Sequence, residues 1–118
     1  AVVPVVAPLT HDGKGNILNT NADTMAATVA KALTDEFEVT LTYCFEKPGV
    51  MADADDDDSV IPTINTESYA QLKADGIVSG GMIPKLDNAF DSISSGVKRV
   101  VITHSMDIQA SMGTVIEK

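Results

Sequence analysis

Two apolar strand-like runs, Val39 to Phe45 and Val100-Val101-Ile102-Thr103, each follow a segment with helical periodicity, and this alternation most constrains the fold. A similar run, Val2 to Ala7, opens the chain, Ile17-Leu18 can return as a short strand after it, and Gly113-Thr114-Val115-Ile116 is a candidate last strand. The intervening periodicity is helical. From Asn21 onward Met25, Val29 and Leu33 recur at four-residue steps, with Ala22, Ala26 and Ala30 on a neighbouring stripe. Thr66 to Asp75 carries Tyr69 and Leu72 on one face and ends at Gly76; a third helix starts near Met82, with Leu86, Ala89, Phe90, Ile93 and Val97 in register and Gly96 as its stop signal. Strands apolar on both faces and alternating with helices predict an α/β fold with a mostly parallel sheet. At 118 residues the chain is one domain, spanning 1–118.

A hydrophobic content of 44% and a mean hydropathy of +0.10 fit a packed globule, whose core must come from aliphatic residues because aromatics make up only 4%. The net charge of −9 argues against nucleic acid or an anionic membrane as partner. Lone Cys44 excludes an internal disulfide and suits a reducing, cytoplasmic setting; it is expected to be buried as a small hydrophobe. The opening apolar run is too short to span a bilayer, and the absence of an initiator Met points to a polypeptide cut from something longer.

Four motifs invite chemistry. Asp53, Asp55 and Asp57 match the first positions of a calcium loop, but Asp58 stands where that loop needs glycine and Ile64 where it needs glutamate, so a solvated turn is expected. His11 and His104 lie beside turn residues without metal-ligand spacing, and no metal site is expected. In Asn19-Thr20-Asn21-Ala22-Asp23-Thr24, three short polar side chains alternate where a helix begins. They can cap that helix or converge on a ligand, and the residues alone leave both readings open. Ser79-Gly80-Gly81-Met82-Ile83-Pro84-Lys85 places two glycines and a lysine at a helix start. The free N–H groups and positive dipole end there favour an anion, and a cation at that end is easiest to understand with a phosphate beside it; the plainer reading is a joint between two helices.

Taken in order, Asn19 to Thr24, Pro48-Gly49-Val50, Asp75 to Lys85 and Gly113 to Ile116 resemble the carboxy-terminal half of the N-acetyl-L-glutamate kinases, within the amino acid kinase family. The resemblance implies a three-layer αβα sandwich and phosphoryl transfer from MgATP to the γ-carboxylate of N-acetyl- or N-succinyl-L-glutamate, a step of arginine biosynthesis. Carried over by position, Lys85 and Asp23 would be catalytic, Lys85 on the transferring phosphoryl group and Asp23 holding the lysines. Asn19, with Asn21 beside it, would contact the amino-acid substrate. Tyr43, Phe45, Gly49, Val50, Ile77, Val78, Ser79, Gly80 and Gly81 would hold ATP, with Mg2+ carried by the nucleotide. The amino-terminal half, with most of the acyl-amino-acid site, is outside this sequence; the chain by itself is expected to be inactive, and the intact enzyme to be a homo-oligomer. A nucleotide-binding module without chemistry, or another kinase of the family, is the alternative.

Overall fold

In the computed structural model, which describes residues 1–110 and 112–118, a four-stranded sheet carries its helices on one face. The chain begins with a hairpin, β1 (Leu9–His11) against β2 (Ile17–Asn19), whose turn is tied by the Asp12 carboxylate accepting from the backbone N–H groups of Lys14 (2.7 Å) and Asn16 (3.2 Å). Then follow α1 (Ala22–Leu33), β3 (Thr40–Phe45), β4 (Thr63–Ile64), α2 (Thr66–Ala74), α3 (Met82–Ser94), β5 (Arg99–His104) and β6 (Thr114–Ile116). The strand order is β3-β5-β6-β4: β3 with β5 and β4 with β6 are parallel, and β5 with β6 is antiparallel.

The glycine stops act as the sequence predicts. At the end of α2 the Ile77 N–H reaches the Leu72 carbonyl and the Gly76 N–H reaches that of Lys73, with Gly76 at φ +71°. The end of α3 repeats the pattern, Val97 to Ser92 and Gly96 to Ile93, with Gly96 at φ +111°. Both are Schellman closures, which need a left-handed residue at that point. At its other end α2 is opened by a reciprocal box between Asn65 and Ser68.

Pairing register puts Leu41, Tyr43, Val100, Ile102, Thr114 and Ile116 on one face of the sheet, where Ala27, Ala30, Leu86, Ala89 and Ile93 of α1 and α3 cover them. Tyr69 of α2 stacks on Phe90 of α3, ring centroids 4.9 Å apart.

Three expectations are corrected, and the faces of α1 are assigned. Val2 to Ala7 forms no strand: Pro4 and Pro8 remove ladder donors, and among the described residues nothing pairs with this segment, whose Val5 is 94% exposed. The Met25–Val29–Leu33 stripe faces a groove shared with Pro4 and Val6, and α1 meets the core through Ala27 and Ala30, with Ala26 packed partly buried against it. The inner face is the apolar one, and the outer face mixes polar and apolar residues. The second face, carrying Thr40, Thr42, Arg99, Val101 and Val115, lies open as a groove of about 310 Å³, so the described residues build the sheet and one helical layer of the α/β sandwich. Cys44, on that open face by strict alternation, is exposed. Two strands, β1 and β4, go unannounced in the sequence.

Candidate functional site

The carboxyl end of β3 and the amino ends of α1 and α3 meet at one rim, the usual place for a ligand in an open α/β sheet. Asn21 caps α1, its side-chain oxygen accepting from the Thr24 N–H at 3.0 Å. With the cap provided by Asn21, the Asp23 carboxylate in the first turn is free for another partner. It takes Lys85: Nζ lies 2.7 Å from Asp23 Oδ2, joining residues 62 apart in sequence, and the two side chains are 19% and 35% exposed. The three polar residues of the segment therefore divide their work. Asn21 caps the helix, Asp23 pairs with Lys85, and Asn19 stands exposed on β2 without an assigned hydrogen-bond partner for its side chain among the described residues.

Lys85 sits one turn into α3, behind a glycine turn in which Gly80 takes φ +55°. A Cβ added at Gly80 or Gly81 would meet nothing within 4 Å, so the approach to this helix end is open. The free N–H groups expected here are not found: the Met82 N–H reaches the Ser79 carbonyl at 3.3 Å, the Ile83 N–H that of Gly80 at 3.2 Å, and Pro84 has none, so what this helix end offers an anion is the dipole and the Lys85 charge. The Lys85 ammonium also stands over two rings, 5.1 Å from the centroid of Tyr43 and 5.9 Å from that of Phe45.

Beside this pair opens a cleft of about 250 Å³, lined by Phe45, Lys47, Gly49, Met51, Ala54, Ile77, Ser79 and Met82 along with Val50. Phe45, Gly49, Val50, Ile77 and Ser79 of the expected nucleotide set thus converge; Lys47, Met51, Ala54 and Met82 join them, and no residue-type signal marked the last two. The loop is tied down from below. Thr114 Oγ1 accepts from the Val50 N–H (2.9 Å) and donates to the Ile61 carbonyl (2.7 Å), and a Cβ at Gly49 would fall 2.8 Å from that same Thr114 oxygen. Tyr43, Val78, Gly80 and Gly81 of that set do not line the cleft. Val78 is in the core, and the Tyr43 ring, 5% exposed, is turned toward the helices because it shares the inner face of β3 with Leu41. Its hydroxyl donates to the Asp23 carbonyl oxygen at 3.1 Å, and burial first, then the Asp23 charge, push its pKa up to about 12.

The remaining motifs are local. The aspartate run is a solvated turn, Asp53 accepting from the Asp55 N–H and Asp56 from the Asp58 N–H, with Lys47 3.8 Å from Asp57. His11 and His104 each accept a backbone N–H two residues on. Among the described residues no three His, Cys, Asp or Glu side chains gather as a metal ion would require.

The family model for the amino acid kinase family matches residues 1–104. The chain belongs to the amino acid kinase family. Among relatives of known name, the acetylglutamate kinases of Phocaeicola vulgatus and Bacteroides thetaiotaomicron are each 60% identical to it over 117 residues, 99% of this chain and 46% of theirs. That of Brachyspira hyodysenteriae is 38% identical over 98% of this chain and 42% of its own. The chain thus spans about half the length of the relatives it matches. Of solved structures, smu.665 of Streptococcus mutans superposes with a TM-score of 0.75 at 28% identity, over 97% of this chain and 42% of that one. The carbamate kinase of Giardia lamblia, solved with AMP-PNP, superposes at 0.63 and 21% identity over 89% of this chain and 39% of its own, which supports the fold alone.

Proposed function

We propose that this chain is the nucleotide-binding half of an acetylglutamate kinase, a protein that transfers the γ-phosphoryl group of MgATP to the γ-carboxylate of an N-acylated glutamate in arginine biosynthesis. The Lys85–Asp23 pair, set at two helix amino ends beside the glycine turn, carries the reading. Phosphoryl transfer asks a protein for positioning and for positive charge where the equatorial oxygens gain negative charge. Lys85 supplies the charge, Asp23 fixes its direction, and the dipole of α3 adds a positive end that needs no reorganisation. The apolar side chains of Phe45, Met51, Ile77 and Met82 suit the flat base of the nucleotide, and Lys47 and Ser79 its polar groups. Mg2+ comes with ATP as part of the substrate. The acyl-amino-acid pocket, beyond any contact from Asn19, belongs to the remainder of the protein, so these 118 residues alone turn over no substrate. No helix among the described residues is long and apolar enough to cross a membrane; a cytoplasmic homo-oligomer is the setting we propose.

The test is steady-state kinetics on the whole protein carrying this chain, following ADP release with N-acetyl-L-glutamate as acceptor. Lys85→Ala should cut kcat by about a hundredfold or more. Acceptor-independent ADP release, or near-normal turnover in the variant, would overturn the assignment.

A further inference from the structure

We infer that Tyr43 is a positioning residue, an aromatic seat that holds the Lys85 ammonium in line with Asp23. The inference rests on the reading of Lys85 as the phosphoryl ligand. Three observations converge on this one side chain. Its ring faces the Lys85 ammonium at 5.1 Å, inside the range in which an aromatic quadrupole attracts a cation. Its hydroxyl donates to the carbonyl of Asp23, the residue whose carboxylate takes the other side of that ammonium. The ring is buried between the sheet and α1, so its place is fixed by packing.

One side chain thus touches both members of an ion pair whose partners come from different helices. A lysine stem has four rotatable bonds and a strongly hydrated head, so an ion pair at one point leaves it free to swing. A ring below and a carboxylate beside it define a direction. Phe45 extends the seat toward the cleft, 5.9 Å from the same ammonium. The inner face of β3 therefore runs from pure core at Leu41, through the seat at Tyr43, to the cleft wall at Phe45.

The experiment compares Tyr43→Leu, Tyr43→Phe and Lys85→Ala in the whole protein. Tyr43→Leu keeps an apolar filler and removes the π face; kcat should fall about five- to thirtyfold, the factor of a desolvated cation–π contact, with the KM for ATP moved less than twofold. Tyr43→Phe keeps the face and loses only the hydroxyl; its kcat should fall less than threefold. A second readout is independent of turnover: the ε-methylene protons of Lys85 should be ring-current shifted upfield by NMR in the unaltered protein and in Tyr43→Phe, and return toward ordinary lysine values in Tyr43→Leu. Equal kcat in Tyr43→Leu and the unaltered protein, or equal losses in the two Tyr43 variants, overturns the seat, as does an unshifted methylene. If Tyr43→Leu does not fold, the methylene shift in the unaltered protein and in Tyr43→Phe decides. Lys85→Ala separates the two ideas. Normal turnover there defeats the role of Lys85 itself, whereas a dead Lys85→Ala beside a normal Tyr43→Leu defeats the seat alone.

Discussion

Replacing Asp23 by Asn in the whole protein separates catalysis from capping, because the structure assigns the cap to Asn21. The substitution changes charge and almost nothing else. Its stability cost has two parts. A negative charge in the first turn of α1 interacts with the helix dipole, worth about 0.3–1 kcal/mol. The pair with Lys85 is partly exposed, which holds its net contribution to about 1 kcal/mol or less. Together they come to at most about 2 kcal/mol, a few degrees in Tm for a chain of about 250 residues, the size of the relatives. The kinetic cost is of a different order. Without the carboxylate the Lys85 ammonium is no longer held for the moment when charge spreads over the transferring group, and one such preorganised element is worth about a hundred- to a thousandfold in kcat. A thermal melt and steady-state kinetics on one preparation give both numbers. In a cycle with Lys85→Ala the two losses should be strongly non-additive, since each residue acts through the other. Turnover within a few-fold of normal, in a folded variant, would refute the assignment of Asp23.

Thr114→Val removes the oxygen that accepts from Val50 and donates to Ile61, leaving a buried N–H and carbonyl without partners. It should cost about 2–4 kcal/mol in urea unfolding at constant m and raise the KM for ATP as the Gly49–Met51 loop loosens. Tyr43 gives a pH signature. Its folded pKa, raised by burial to about 12, exceeds the unfolded value near 10, so the unfolded chain loses that proton first. The stability it protects is whole below pH 10 and falls between pH 10 and about 12; Tyr43→Phe should flatten that part of the stability–pH curve, and an unchanged slope would show the hydroxyl does not titrate as described.

Much of this was readable from residues alone, and the limits have physical causes. Gly76 and Gly96 announced their Schellman closures because left-handed backbone is nearly their private territory. Lys85 drew attention because its charge opposes the dipole at its own helix start, and the structure gives it the Asp23 carboxylate as partner. What could not be read was which polar residue would do which job: Asn21 and Asp23 are both good caps by type, and only the approach of Lys85 from 62 residues away divides them. Tyr43, expected among the nucleotide ligands, lies outside the cleft for a related reason. It belongs to the right strand, yet its role turns on alternation, and the glycine-terminated loop that follows it gave no sign of where the inner face ended. Val2 to Ala7 had a strand's composition without a partner to pair with, which propensity cannot supply. The two residues of β4 carry too short a pattern to be seen.

The sheet ends on β3, and β3 ends it badly for a domain handled alone. Thr40-Leu41-Thr42-Tyr43-Cys44-Phe45 contains no charge, no proline and no bulge, the devices by which an outermost strand ordinarily repels a second copy. Six uncharged residues rich in β formers are also the pattern of a cross-β segment. Produced as a separate piece, the domain offers this rim as a template for stacking between molecules. A lysine placed at Thr42, on the open face and away from the Tyr43 seat, is the smallest change that would blunt it.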